Sequence, residues 1–357
     1  SLGNEGAAAL DEVEVLVKGP GVPPTNPVVM EARDRGIPVW SELELGYRLL
    51  PDGVRIVGVT GTKGKTTTVR LLGAMFASAG RDVTLAGNEH TPVTELDHPR
   101  GDLVLELSSF ALADVDRFRC DVAVLLNVEP DHLNWHGTFE HYRDSKLRVF
   151  DGARAKVAPR GFAVDGAIEF AADDALPAEP RMPGAHNRAN AAAATAAARA
   201  AGVDDAAIAD ALRRFEGVPH RLELVRELRG IRYVNDSKAT NTAAALRGVE
   251  SYAEPLHLIL GGSLKGEDFG PFARDLPANV RTIHLIGDAT DELAAALDTA
   301  DRGYARDGDL EHAIAHAASV AEEGDVVLLS PACASFDQYE SFEQRGDRFR
   351  ALVEALP

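Results

Sequence analysis

A multi-domain α/β fold is what this 357-residue chain predicts. Short β-branched runs alternate with helical stretches from end to end, the pattern of parallel sheets flanked by helices. A glycine-rich stretch, Gly58-Val59-Thr60-Gly61-Thr62-Lys63-Gly64-Lys65-Thr66-Thr67, follows an apolar run and opens a helical segment. Polar clusters then recur directly after strand-like runs, where ligands bind in such sheets.

Taken in order, the apolar and β-branched runs predict strands at Val13–Val17, Val54–Thr60, Leu103–Leu107, Val122–Asn127, Ile231–Asn235, Leu256–Leu260, Thr282–Gly287 and Val326–Ser330. Helices are expected at Thr66–Ala79, Phe139–Phe150, Asn187–Ala201, Ala206–Phe215, Thr240–Val249, Asp291–Leu297, Leu310–Glu323 and Phe342–Ala355. The alanine run from Asn190 to Ala201 reads as a tightly packed helix, since alanine has the highest helix propensity. Pro51-Asp52-Gly53 and Gly217-Val218-Pro219 punctuate these blocks and set expected domains at 1–52, 53–217 and 218–357. No repeat of fixed period is present.

Composition narrows the class. With 45% hydrophobic and 26% charged residues the chain has the balance of a soluble globular protein. Its net charge of −19 argues against a nucleic-acid or anionic-membrane binder, so an anionic ligand needs local Lys and Arg. Cys120 and Cys333 lie far apart and form no CxxC or Cys/His cluster, which excludes a disulfide framework and fits a cytoplasmic protein. No apolar run approaches the ~18 residues of a membrane span. The opening Ser1-Leu2-Gly3-Asn4-Glu5-Gly6 is not a signal peptide, and the absence of an initiating Met points to a processed, trimmed or incomplete chain.

The glycine-rich stretch is a phosphate clamp in this context. Glycines turn successive N–H groups toward an anion, the helix N-terminus adds its dipole, Lys65 reaches the β/γ-phosphates and the Thr66 hydroxyl can ligate Mg²⁺. ATP is the expected ligand. The spacing departs by one residue from the usual pattern, with Gly58 one place early and Val59 where the first glycine belongs.

Glu106 ends one strand and Asn127-Val128-Glu129-Pro130-Asp131-His132 ends another, so a carboxylate and an imidazole can face each other across the phosphates, a group that suits Mg²⁺. A strand-end salt bridge is the plainer use of Glu106, and a surface or capping role that of His132. Lys146 reads by periodicity as a solvated helix lysine. Gly184 to Asn190 opens a helix with polar groups that can cap it or touch a nucleotide. Further on, Arg221, Lys238 and Lys265 follow successive strands and would make one mouth basic. Ser335 can bind a carboxylate, but no G-x-S-x-G elbow makes it a nucleophile.

Together these strings resemble the Mur ligase family of ATP-dependent amino-acid ligases: TGTKGKTTT (60–68), LELSSFAL (105–112), LNVEPDHLNWHG (126–137), SKLRVF (145–150), GAHNRANAAAA (184–194), HRLE (220–223), NDSKATN (235–241), LGGSLKG (260–266) and SPACASFDQYESFEQRG (330–346). They run in family order over nearly everything after residue 53, and the last is closest to the glutamate-adding members. The resemblance implies three domains: an incomplete N-terminal Rossmann-like domain for the UDP substrate, a central P-loop ATPase-like domain and a C-terminal Rossmann-like domain for glutamate. It implies a monomer that adds D-glutamate to UDP-N-acetylmuramoyl-L-alanine through an acyl phosphate, using ATP and Mg²⁺.

Residue by residue, the resemblance puts Gly61, Thr62, Lys63, Gly64, Lys65, Thr66 and Thr67 on the ATP phosphates, and Thr66, Glu106, His132 and Lys146 at the metal. Lys146 matches a lysine that the family carbamylates. Asn187, Arg221 and Asp236 match nucleotide positions; Lys238, Thr240, Lys265, Ser335 and Phe342 match glutamate positions; Asn88 lies near the muramoyl substrate. Lys65, Glu106, His132 and Lys146 are the expected catalytic group. The alternatives are an L-glutamate-adding or other superfamily ligase, and a non-catalytic nucleotide-binding partner.

Three departures stand out. About half of the usual N-terminal domain precedes the phosphate loop, with Lys18-Gly19-Pro20-Gly21-Val22-Pro23 resembling a later turn of that domain. Glu89-His90 follows Asn88 where the family continues Ile-Gly. Ser263-Leu264 replaces an aspartate that contacts ribose.

Overall fold

A computed structural model describes residues 10–182, 184–264 and 266–357. The chain divides into two compact units, residues 1–215 and 216–357. The expected boundary between residues 52 and 53 falls inside the first.

The first unit begins with a small parallel pair, β1 (Leu16–Lys18) and β2 (Val39–Ser41), joined through α1 (Pro27–Asp34). Asn26 caps α1 by accepting from the Val28 N–H at 3.0 Å, and Pro27 takes the first helical position, where a missing N–H costs nothing. Next comes α2 (Glu42–Leu49), which carries the buried Glu44. Burial alone would raise the pKa of Glu44, yet backbone N–H groups of Asp116, Arg117 and Phe118 at 2.8–3.0 Å and the Arg48 guanidinium at 2.6 Å hold it below the usual range. That carboxylate and the Lys18–Asp114 pair, 2.9 Å, fasten the N-terminal segment to residues 114–118.

The main sheet of this unit is built along the chain from β3 (Arg55–Thr60), α3 (Lys65–Ser78), β4 (Val83–Gly87), β5 (Asp102–Leu107), α4 (Ser109–Ala113), β6 (Val122–Leu125), α5 (Leu133–His136), α6 (Phe139–Leu147), β7 (Ala155–Pro159), β8 (Ile168–Phe170), α7 (Ala185–Ala200) and α8 (Asp205–Arg214). All six strands are parallel, in the order β4-β5-β3-β6-β7-β8. The order reverses at β3, which places the loop after it at the ligand-binding edge. Both faces are covered: Val57, Val59 and Val104 pack under α3 and α7, while Ile56, Leu103 and Leu105 face a second core with Leu112 and Phe118. The alanines of α7 at positions 191, 193, 194, 197 and 198 are all fully buried, and their small size lets α7 lie close to Leu72 and Met75 of α3.

The second unit continues with β9 (Glu223–Leu228), β10 (Ile231–Asn235), α9 (Thr242–Glu250), β11 (Leu256–Gly261), α10 (Phe269–Asp275), β12 (Val280–Ile286), α11 (Thr290–Thr299), β13 (Ala305–Gly308), α12 (Leu310–Val320), β14 (Val326–Leu329) and α13 (Phe342–Glu354). Its sheet runs β13-β12-β11-β14-β10-β9. The expectation of an all-parallel sheet needs one correction, because β9 is antiparallel to β10. The two-residue turn Arg229-Gly230 has positive φ at both positions, 56° and 74°, which suits a tight hairpin.

Several elements are absent from the sequence reading for identifiable reasons. Strand β13 reads Ala-Arg-Asp-Gly and β8 has three residues, so neither presents an apolar run. The first strand is shifted, from the expected Val13–Val17 to Leu16–Lys18, since its length is set by pairing with the three residues of β2. The helix expected over Phe139–Phe150 is α6 followed by a tighter 3₁₀ turn at Arg148–Phe150. Among the described residues, no helix is long and apolar enough to cross a membrane.

Candidate active site

The phosphate loop spans the end of β3 and the start of α3. Gly64 caps α3 at φ 84°, a conformation open to glycine, and having no side chain it makes no side-chain cap bond to the helix. A Cβ at Gly64 would collide with the Asn190 carboxamide of α7. Gly58, by contrast, lies within β3 and outside the clamp. Its Cβ position is 2.5 Å from the Cys120 sulfur, so packing demands that glycine, and the apparent spacing irregularity is a strand feature.

Segments after β6 hold the loop in place. Asn127 accepts from the Lys63 N–H at 2.8 Å, donates to the Lys63 carbonyl at 3.1 Å, and takes the Thr62 N–H on its own carbonyl. The Thr62 hydroxyl meets the Tyr142 hydroxyl at 2.8 Å and accepts from the Glu129 N–H at 3.0 Å. Lys63 pairs with Glu129 at 2.6 Å. Neither Asn127 nor Tyr142 was singled out from sequence, although Asn127 ends a predicted strand and so carried a positional signal.

Two lysines converge behind this loop. Lys65 donates to the carbonyls of Gly61 and Thr62 at 2.9 and 3.1 Å, and Lys146 donates to the same Gly61 carbonyl at 2.8 Å. Lys146 is 2% exposed, which corrects the reading of it as a solvated helix lysine. Burial, reinforced by the Lys65 charge and partly opposed by Asp131, pushes its ammonium down to about 7.

Glu106 stands one strand away. Its residue pairs with Val59 of β3 and Gly87 of β4, and it is 1% exposed, with no hydrogen bond to either carboxylate oxygen among the described residues. Burial first, then the Glu89 charge, raise its pKa, against the pull of Lys65 and the weaker influence of the nearby Thr66 and Asn88 side chains. A salt bridge at the strand end, the plainer reading of Glu106, is therefore limited to a 3.8 Å approach by His90. The turn after β4 brings Asn88 next to it, the Asn88 N–H donating to the Glu106 carbonyl at 2.9 Å. The Thr66 hydroxyl donates to Glu89 at 3.2 Å.

His132 begins α5 in a left-handed conformation, φ 53°, half exposed and 4.8 Å from the Phe110 ring. Burial lowers its pKa, Asp131 opposes that, and Lys146 and Lys65 add to it. The field of Lys65 thus reaches Glu106, His132 and Lys146 together. His136, one turn on, is more deeply set: its Nε2 meets the Ser109 hydroxyl at 2.9 Å and its Nδ1 meets His141 at 3.2 Å. Burial and then the neighbouring His141 bring its pKa down to about 4. An oxygen-rich group of Thr66 and an unpartnered buried carboxylate suits a hard divalent cation, and neutral imidazole is the form of histidine that ligates one.

Asn187 lies in the first turn of α7, half-buried, behind Gly184, which caps that helix without a side-chain bond. Thr67 is buried at the start of α3.

In the second unit, loops after β10, β11 and β14 are drawn together by one residue that sequence reading passed over. Arg345, 1% exposed, donates to the hydroxyl and carbonyl of Ser237 and to the carbonyls of Gly261, Cys333 and Ala334, at 2.9–3.3 Å. Burial lowers its pKa to about 10. Around this post sit Lys238, with its ammonium 5.7 Å from the Phe342 ring centre, Thr240, whose N–H donates to the Lys238 carbonyl, and Ser335, buried with no hydrogen-bond partner for its hydroxyl among the described residues. Asp236 accepts from the Leu222 N–H at 3.2 Å and the Ser330 hydroxyl at 2.8 Å, and burial raises it to about 7 against the opposing charges of Arg221 and Arg247. Lys265 lies outside the described residues.

Known proteins share both the sequence and the fold. Residues 59–164 match the Mur ligase middle domain, and residues 220–333 the Mur ligase, glutamate ligase domain. A UDP-N-acetylmuramoylalanine–D-glutamate ligase of Pelotomaculum thermopropionicum is 40% identical, covering 100% of this chain and 87% of its own length. The ligase of the same name from Natranaerobius thermophilus is 37% identical over 99% and 86%. Among solved structures, a UDP-N-acetylmuramoyl-L-alanyl-D-glutamate–2,6-diaminopimelate ligase aligns with a TM-score of 0.62 at 19% identity, covering 97% of this chain and 93% of its own. A bifunctional folylpolyglutamate synthase/dihydrofolate synthase from Yersinia pestis, complexed with AMPPNP and Mn ion, gives 0.60 at 20% identity, covering 87% and 93%.

Proposed function

The chain belongs to the Mur ligase family, and from that premise we propose that it is the ATP-dependent ligase that joins D-glutamate to UDP-N-acetylmuramoyl-L-alanine in peptidoglycan synthesis. The observation that carries the site is Glu106: a buried carboxylate without a hydrogen-bond partner among the described residues, beside a helix N-terminus suited to phosphate.

The N–H groups from Gly61 to Thr67 and the Lys65 ammonium take the ATP phosphates. Lys65 is already poised there, held by two loop carbonyls that it can exchange for phosphate oxygens. Thr66, Glu106 and His132 would hold Mg²⁺, joined by Lys146 as a carbamate, which supplies a further oxygen-bearing group. When bound, Mg²⁺ neutralises charge on the transferring phosphoryl group. The alanyl carboxylate attacks the γ-phosphorus, forming the C–O–P bond of an acyl phosphate and releasing ADP. The glutamate amine then adds to the acyl carbon, loses a proton, and expels inorganic phosphate from the tetrahedral intermediate. Alignment of two anions that would otherwise repel is the main task of these residues.

Asn187, Arg221 and Asp236 are assigned to the nucleotide, Lys238, Thr240, Lys265, Ser335 and Phe342 to glutamate and its carboxylates, and Asn88 to the muramoyl substrate. Division of the chain at residues 52 and 217, action as a monomer and a cytoplasmic location belong to the same reading. The test is ADP release by the full chain with ATP, Mg²⁺ and UDP-N-acetylmuramoyl-L-alanine, comparing D-glutamate, L-glutamate and no amino acid. Dependence on the UDP substrate and D-glutamate is expected. Preference for L-glutamate, or release without an acceptor, would overturn the assignment.

A further inference from the structure

One face of the second sheet carries a line of polar groups that none of the residues assigned above belongs to. His257 of β11 and Thr282 of β12 are register partners, His284 follows on the same face of β12, Asp307 lies in the neighbouring β13, and His316 comes from α12. The line starts at Asp325, just before β14, whose Oδ2 meets the His257 Nε2 at 3.0 Å. The His257 Nδ1 meets the Thr282 hydroxyl at 2.8 Å, and that hydroxyl meets the His284 Nε2 at 2.9 Å. Asp307 ends it, with the His284 Nδ1 2.7 Å from one carboxylate oxygen and the His316 Nδ1 2.9 Å from the other. His257 and His284 are each 1% exposed.

With neutral rings the line is one hydrogen short. Each carboxylate needs a donor from the imidazole facing it, which puts a hydrogen on His257 Nε2 and on His284 Nδ1. The two inner nitrogens are then both acceptors, and the Thr282 hydroxyl between them has a single hydrogen to donate. Either one ring holds a second proton where almost no solvent reaches it, or a metal ion takes the place of an outer hydrogen. The Asp325 end is closed, since the same Oδ2 also accepts from the Glu322 N–H at 3.0 Å and the Arg281 guanidinium at 3.3 Å. The Asp307 end is joined instead by a third ligating group, His316.

One ligand atom from each of His284, Asp307 and His316 lies within 4.8 Å of the other two. Their side chains are 1%, 10% and 46% exposed, so the group opens to solvent on the His316 side. With a metal on His284 Nδ1, the Nε2–H donates to Thr282 and the Thr282 hydroxyl donates to His257, and every contact in the line is satisfied. A hydrogen bond on the second nitrogen of a ligating histidine is the usual way its tautomer and ring are fixed. Two imidazoles and one carboxylate suit Zn²⁺ rather than Mg²⁺, and three protein ligands leave a position for water. We propose that His284, Asp307 and His316 form a separate metal site that takes Zn²⁺ or an ion of like chemistry, with Thr282 as the residue that orients His284. The proposal does not depend on the ligase assignment.

The test titrates Zn²⁺ into the chelator-treated full chain by calorimetry, with excess Mg²⁺ and no nucleotide, and records thermal melts with and without Zn²⁺. Wild type is compared with His316→Ala and Asp307→Asn. His316 is an exposed helix position where alanine favours the helix, so His316→Ala should melt as wild type does without metal. The expected result is a tight equivalent of Zn²⁺ in wild type that both variants lack, with Zn²⁺ raising the melting temperature of wild type alone. Uptake by His316→Ala equal to that of wild type would place the ion elsewhere and overturn the proposal, whatever Asp307→Asn does to folding. No tight uptake by wild type would overturn it as well, and would assign the missing hydrogen to a doubly protonated ring.

Discussion

Lys65 and Lys146 place their ammonium groups on one acceptor, the carbonyl oxygen of Gly61, at 2.9 and 2.8 Å. Burial disfavours the charged form of Lys146, and the Lys65 cation beside it adds to that. Lys146, with the Tyr142 ring 4.7 Å away and almost no solvent, is the member whose proton is loosened. Only a neutral amine can add to CO₂, so the same geometry that depresses the ammonium prepares the side chain for carbamylation.

Carbamylation should follow that titration. As pH rises through about 7 the neutral fraction of Lys146 grows, and a carbamate carbon from ¹³C-labelled bicarbonate should appear in the NMR spectrum. Lys146→Met should lack the signal. Its absence from wild type on the alkaline side would refute the assignment.

Gly64→Ala should abolish nucleotide binding more than it harms folding. The substitution forces an L-residue into φ 84°, at a cost of about 1–2 kcal/mol, and drives its methyl into Asn190. Displacing the loop by even a fraction of an ångström misaligns the N–H groups. Calorimetry with a non-hydrolysable ATP analogue should show affinity reduced by at least about tenfold; unchanged affinity would mean that the loop is not the phosphate site.

Arg345→Met should destabilise the second unit severely. It removes the donor from carbonyls of Ser237, Gly261, Cys333 and Ala334 in a buried setting, a loss of about 3 kcal/mol or more. Arg345→Lys should recover little, because one ammonium cannot span three loops. Urea unfolding of the full chain, read from its second transition if the units separate, measures this directly.

His136 should impose an acid limb on stability. Its pKa falls from an ordinary 6.5 to about 4 on folding, so above pH 6.5 both states are neutral and the contribution is fully present. Between 6.5 and about 4 the unfolded chain takes the proton first, and stability falls with pH. The difference in unfolding midpoint between wild type and His136→Gln should shrink across that window. A difference independent of pH would remove the histidine as the cause.

Much of the architecture was legible because it is local. The phosphate loop is a contiguous string whose glycines and lysine act through their own backbone and helix. Glu106 announced itself by ending an apolar run, and every expected strand after the first begins within two residues of an observed one, starting from Arg55–Thr60 and Asp102–Leu107. Strand β9 was missed because its residues are only partly buried and its partner is fixed by a two-residue turn. Arg345 was missed for a stronger reason. A charged residue at the start of an amphipathic helix reads as solvated, and nothing nearby in sequence supplies the five acceptors it meets.

What the sequence by itself determined is the alternation of elements, the phosphate loop and the identity of groups able to carry the chemistry, since each depends on neighbours within a turn or a strand. The tertiary structure alone decided that Gly58 packs on Cys120 and takes no part in the loop, that Lys146 is buried behind Gly61, and that Glu89 reaches Thr66. These are properties of desolvation and of acceptors shared between distant segments. Proton affinity and cation affinity are set by what surrounds a group in space, and that is fixed only when the chain closes on itself.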